Sequence, residues 1–188
     1  MAITTWNIDT AHTDVLFSAK HMMVTTVRGK FAGVSGTISL DEENPTASTG
    51  EFTVAVASLN TGVEQRDGHL RSADFFDAEN HPDATFTSTR VEARGGSDYT
   101  VTGDLTIRGT TRTVTFEVEH LGFYTGMNGA RRAGFHATGK INREDFGLNW
   151  NVALETGGWL VGKDIKLEFD LAIEQAEAVK ADAETRVA

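Results

Sequence analysis

The sequence predicts a single all-β domain: an antiparallel sheet of eight strands closed into a barrel, with one short helix inserted near residues 64–76. Three observations predict it. Near the C-terminal end, Ile165, Leu167, Phe169, Leu171 and Ile173 fall on one side and Lys166, Glu168, Asp170 and Glu174 on the other, an unbroken period of two. About seven further runs alternate in the same way, as strands with one buried and one solvated face do. Glycine is abundant, 19 residues against 2 prolines, which suits strands joined by tight turns. A parallel sheet would need near-continuous apolar strands and crossover helices, and the sequence offers neither. Alternating antiparallel strands pair as a sandwich or close on themselves, and closure removes the edges that invite aggregation.

Taken in order, residues 3–9 form an entry strand, and Val15, Phe17, Ala19 and His21 share the inward face of the next. The uneven spacing between Phe31 and Val34 predicts a bulge or bend. Residues 41–49 are a polar turn, and from Glu51 to Leu59 the apolar face carries Phe52, Val54 and Val56. A charged segment, residues 59–86, then interrupts the alternation. Strand character resumes with Ala84, Phe86 and Ser88 inward, and Gly95 to Asp98 makes a hairpin turn. A second hairpin pivots on Arg108 to Thr111, setting Val101, Leu105 and Ile107 against Val114, Phe116 and Val118. Phe135, Ala137 and Ile141 face inward on the strand after the 126–130 loop, and residues 142–151 interrupt again before the last strand. The domain spans 1–175, and 176–188 reads as a polar tail.

Composition excludes several function classes. With 27 acidic against 17 basic residues, a net charge of −10 argues against nucleic acids and anionic membrane surfaces as partners. There is no cysteine, hence no disulfide, zinc-thiolate site or thiol nucleophile. No apolar stretch is long enough for a membrane span, so no stable membrane insertion is expected. No basic region precedes an apolar run at the N-terminus, so a cytoplasmic location is expected, or a periplasmic or secreted one if a signal was removed. None of the six histidines has a metal-binding spacing, and no nucleophile elbow or phosphate-binding loop is present, so neither metal nor cofactor is expected.

The inward list mixes large residues with small ones such as Ala19, Ala84, Gly103 and Gly139, which permits a cavity in an eight-stranded barrel. His21, at the inward end of its strand, is either satisfied by a backbone carbonyl at the rim or placed to hold a polar ligand group. In the charged segment, Glu64, Asp67, Asp74 and Asp77 could supply the carboxylate pair of a hydrolase. The local reading is a helix with an exposed Asp67 and Arg71 pair four apart, whose Leu70, Ala73, Phe75 and Phe76 close one end of the barrel. A third reading is a solid barrel that acts as a stress-related interaction protein.

Seven motifs occur in order: Trp6, Asp9 and His12; Val15, Phe17 and His21; Gly29 and Phe31; Arg66 to Asp77; His81 to Ser88; Gly103 to Thr111; and Asn142 to Leu148. Together they resemble the YceI-like proteins, which usually carry Ser where this chain has Thr13, and the resemblance covers about residues 6–175. The resemblance implies a non-enzymatic, lipocalin-like barrel holding a long isoprenoid chain, a polyprenyl phosphate or an isoprenoid quinone, for transport, storage or sequestration. It implies a homodimer as well. On this expectation Phe17, His21, Phe31, Phe52, Val54, Phe75, Phe76, Phe86, Leu105, Phe116, Phe135 and Phe169 grip the tail. His21, Arg66, His69 and Arg71 are the head-group candidates.

Overall fold

The computed structural model describes residues 3–176, so the tail expected at 176–188 lies outside the described residues beyond Ala176. Eleven strands form one sheet: β1 (Thr4–Ile8), β2 (Asp14–His21), β3 (Thr25–Phe31), β4 (Val34–Leu40), β5 (Thr49–Ala55), β6 (Leu59–Asn60), β7 (Asp83–Gly95), β8 (Asp98–Ile107), β9 (Thr110–Thr125), β10 (Arg131–Asn142) and β11 (Val161–Gln175). One helix, α1 (Glu64–Arg71), lies between β6 and β7. All pairings are antiparallel, and β1 pairs with both β4 and β11, which closes the ring β1-β4-β5-β7-β8-β9-β10-β11.

The eight expected strands and the eleven observed ones are the same runs of chain, because three of them are kinked. β11 pairs with β1 through Ile173 to Gln175 and with β2 through Val161 to Asp170, so β1 and β2 are two halves of one strand. β3 and β4 continue one another in the same way, broken at Ala32 and Gly33 where the Phe31–Val34 spacing predicts a bend. The third kink was not anticipated. Val56, in phase with Phe52 and Val54, begins a 3-10 turn instead of extending the strand, and its N–H donates to Pro82 O at 2.8 Å. Burial satisfies Val56 in either conformation, so the alternation carries no sign of the change.

Side chains lock the first kink. Asp9 N and Thr13 Oγ1 both donate to Ala172 O, at 2.8 and 3.3 Å, and Thr13 Oγ1 accepts from Ala172 N at 3.1 Å. The Asp9 carboxylate accepts from Ala11 N at 3.2 Å and pairs with His12 Nδ1 at 2.8 Å and Arg132 at 2.9 Å. Burial opposes its ionisation, but His12, the Ala11 N–H and Arg132 together hold its pKa below the ordinary 3.8. A carboxyl depressed in the folded state stabilises above its unfolded value and loses that contribution as pH falls through the folded one. The urea-midpoint gap between the protein and Asp9→Asn is therefore expected to be full at neutral pH and to close in acid.

Loops divide between the two barrel ends. Residues 22–24, 61–82, 108–109 and 143–160 gather at one end, and 41–48, 96–97 and 126–130 at the other, beside the first and last described residues. The first end is plugged. Phe75, Leu105, Ile141, Phe146 and Leu148 are buried together, with Leu70, Phe76, Ile107, Trp150 and Val161 against them. The closure expected of Leu70, Phe75 and Phe76 is thus present, whereas Ala73 is exposed. The 143–160 connection contributes as much to the plug as α1 does, and its centre is Arg143. This side chain is buried, and its guanidinium donates to Gly162 O at 2.9 Å, Trp150 O at 3.0 Å, Val161 O at 3.4 Å and Leu148 O.

Candidate lipid-binding lumen

Beyond the plug the interior is partly filled, by a buried cluster that includes Trp6, Val34, Leu40, Ala133 and Ile173, and partly hollow. A cavity of about 310 Å³ runs from Leu105 and Leu167 to Glu42, Pro45 and Ser48 of the 41–48 connection, where its mouth lies. Its wall explains how a barrel carrying so many phenylalanines stays open. A Cβ built on Gly103 or Gly139 would lie 2.4 Å from the ring of Phe86 or Phe116 respectively, so these rings occupy the space that a side chain at either glycine of the wall would need. Phe17 covers Gly29 in the same way. Phe116 is also held edge to face between Phe86 and Phe169, at centroid distances of 5.4 and 5.2 Å. Aromatic area lines the space without crossing it.

Seven of the expected tail-gripping residues line this cavity: Phe52, Val54, Phe86, Leu105, Phe116, Phe135 and Phe169. Phe17, His21, Phe31, Phe75 and Phe76 do not. Phe31 and Phe76 stack on each other edge to face at 5.9 Å, Phe17 stacks on Phe31 at 5.4 Å, and Phe75 belongs to the plug. These residues point inward as alternation requires, but His21, Phe75 and Phe76 sit at the closed end, and Phe31 packs against the buried cluster of Trp6, Val15 and Val34.

The head-group candidates lie at the same closed end, and Arg66, His69 and Arg71 are committed to local structure. Arg66 donates to Thr61 Oγ1 at 2.7 Å and Thr61 O at 2.9 Å, and Arg71 donates to Leu59 O at 2.5 Å. His69 pairs with Asp74 at 2.8 Å and stacks edge to face on Trp150 at 4.6 Å. His21 ends β2, with its carbonyl accepting from Thr25 Oγ1 at 3.3 Å. The exposed Asp67–Arg71 pair does not form. Asp67 is buried instead and accepts from Thr61 N at 2.9 Å and Thr61 Oγ1 at 2.5 Å, pinning the chain that enters α1. The segment's carboxylates do not converge on a shared cleft: Glu64 is 94% exposed, Asp67 faces Thr61, Asp74 faces His69 and Asp77 binds Asn80. The helix also stops at Arg71, short of residue 76, because residues 72–77 turn back on it through Phe76 N to Leu70 O and Ala78 N to Arg71 O.

The polar groups at the open mouth are ones that sequence reasoning passed over. Glu42, Ser48, Thr49, Tyr99 and His120 line that part of the cavity. His120 sits between Phe123 and Phe135, at centroid distances of 4.7 and 5.0 Å. It follows Phe116 and Val118 on the inward face of β9, so the alternation itself places it. Arg131 holds Glu42 through two hydrogen bonds, one of 2.7 Å, and stacks over Phe123 at 4.6 Å. Outside the barrel, His136, Glu168 and Asp170 bring potential ligand atoms within 4.8 Å of one another. The 2.7 Å hydrogen bond with Asp170 raises the His136 pKa above the ordinary 6.5.

Comparison with known proteins gives this architecture its relatives. A UPF0312 protein of Staphylococcus epidermidis is 40% identical over 167 residues, 88% of this chain and 95% of the relative. The crystal structure of Burkholderia cenocepacia BcnA superposes with a TM-score of 0.76 at 28% identity, covering 88% of this chain and 98% of that one. A polyisoprenoid binding domain from Saccharophagus degradans, implicated in plant cell wall breakdown, shares the fold at 19% identity, with a TM-score of 0.68 and coverage of 92% and 99%. The family model described as the YceI-like domain matches residues 6–173, the whole of the closed barrel up to its last strand, and the chain belongs to the YceI-like family.

Proposed function

We propose that this protein is a non-enzymatic carrier that holds an isoprenoid lipid, tail inward, in the lumen and thereby transports, stores or sequesters it. The observation that carries the reading is the hollow apolar lumen, plugged at one end and open at the other. The polyisoprenoid-binding description of a protein with the same fold supports the ligand class. Transfer of apolar area out of water drives binding, at about 0.8 kcal/mol per buried CH₂, and few polar contacts are needed to fix the head.

The volume limits the tail. A dry apolar cavity of about 150 Å³ holds one benzene ring, so a lumen of about 310 Å³ takes on the order of a dozen carbons, or two to three isoprene units. A longer tail, such as that of a polyprenyl phosphate or a quinone, gains room only by turning the Phe86, Phe116 and Phe169 rings or by extending through the mouth. Lipid extraction and mass spectrometry of the purified protein are expected to recover a prenyl lipid. Titration of delipidated protein with prenols of increasing length should show affinity rising steeply to about three units and flattening beyond. An extract free of prenyl lipid, with no binding at any length, would overturn the reading.

A further inference from the structure

Three buried side-chain nitrogens among the described residues have no hydrogen-bond partner: Arg71 Nε, Arg132 Nε and His120 Nε2. Only His120 lines the lumen. A buried polar atom without a partner costs about 1–3 kcal/mol, and one placed on the wall of a ligand cavity is a ready contact for the ligand. The surroundings specify what kind of ligand group fits. None of the arginines near this end lines the cavity: Arg131 is held by Glu42, Arg132 by Glu174 at 2.6 Å and Asp9 at 2.9 Å, Arg90 by Glu92 at 3.4 Å, and Arg94 Nε donates to Thr100 Oγ1 at 2.6 Å. The charged residue that does line the cavity is the carboxylate of Glu42. A phosphate brought here would lose its hydration in an apolar lumen beside a carboxylate, with no lysine or arginine in the cavity wall to meet it.

We infer that His120 is the head-group anchor of the lumen and that the head it selects is a neutral oxygen, a hydroxyl or a quinone carbonyl, in preference to a phosphate. This rests on the isoprenoid reading and narrows it. With the other ring nitrogen donating to the Gly122 backbone, Nε2 of the neutral imidazole accepts from a hydroxyl, and in the alternative tautomer, which gives up the Gly122 bond, it donates to a carbonyl. Burial lowers the His120 pKa, against the opposing effects of the Gly122 backbone and the Glu42 charge, which keeps the ring neutral and removes its attraction for an anion.

The test uses delipidated full-length protein and four probes with one chain of three isoprene units: farnesol, a farnesylated benzoquinone, farnesyl phosphate and the headless hydrocarbon farnesene. The alcohol and the quinone are expected to bind at least tenfold more tightly than the phosphate. His120→Leu should weaken those two about tenfold and leave farnesene unchanged, and His120→Gln, which keeps a polar atom at similar reach, should restore most of the loss. Thermal melts of both variants confirm that the barrel persists. Phosphate binding as tight as the alcohol, or a His120→Leu effect equal across all four probes, would overturn the anchor while leaving the isoprenoid reading intact. Failure of all four, farnesene included, would overturn both.

Discussion

Replacing Arg143 by methionine is expected to lower the unfolding free energy by about 3–5 kcal/mol. Methionine matches the length and apolarity of the stem, so packing is nearly kept and the loss isolates the guanidinium. The carbonyls of Leu148, Trp150 and Gly162 then lose their side-chain donor in and beside the 143–160 connection, while Val161 O keeps its 2.8 Å bond from Asn151 Nδ2. No carboxylate is recorded among the buried cation's hydrogen-bond partners; its charge is met by carbonyl dipoles, and burial lowers its pKa. A chain of this size shifts its melting midpoint by about 2–4 °C per kcal/mol, so calorimetry should show a drop on the order of 10 °C. Arg143→Lys should not rescue it, because an ammonium is a compact charge that cannot span carbonyls spread over a fork. A midpoint within about 2 °C of the unaltered protein, or about 1 kcal/mol, would show that the plug is held by its apolar contacts alone.

The second large effect concerns the lumen and comes from one methyl group. In Gly139→Ala the new Cβ would lie 2.4 Å from Phe116 Cδ1 and 2.7 Å from Cε1, and the ring is all that crowds it. The ring must leave the wall, and the space it can enter is the cavity. Overpacking of this kind costs about 1–3 kcal/mol, and the lumen loses part of the volume the tail would occupy. Lipid affinity is expected to fall about tenfold, more for longer chains. Phe116→Ala works in the opposite direction. It vacates about the room of a benzene ring, so the preferred chain should lengthen by about one isoprene unit, at a stability cost of about 3 kcal/mol or less, since one ring face already borders a void. If both variants bind every chain length as the parent does, the glycine-backed rings do not set the capacity.

Much of this fold is legible in the sequence because a strand with one wet face writes its period into the chain. β11 and the β8–β9 hairpin follow from alternation, and the bend between Phe31 and Val34 follows from a slip in it. The kink at Val56 does not, since an apolar residue buried in a turn and one buried in a strand look the same. The site shows a sharper limit. Parity tells whether a residue points in or out, not how far along the barrel it sits. His21 and His120 share the inward parity, yet one ends β2 beside the closed-end loops and the other lines the cavity. Charge density drew attention to Arg66, His69 and Arg71, which serve the entry to α1 and its exit turn. His120 carried the available signal, two residues beyond Val118 on the same face, in an ordinary alternating strand with no charge cluster to draw notice.

The plug has a kinetic consequence. A vessel stopped at its base admits and releases cargo through one doorway, so a newcomer cannot push a resident out from behind. For a lipid held as proposed, turnover would therefore wait on spontaneous departure, its pace set by the resident's own escape, however crowded the solution outside. Whatever hastened that release would have to act at the rim, where the chain's first and last described strands meet through Ala176 N and Thr5 O.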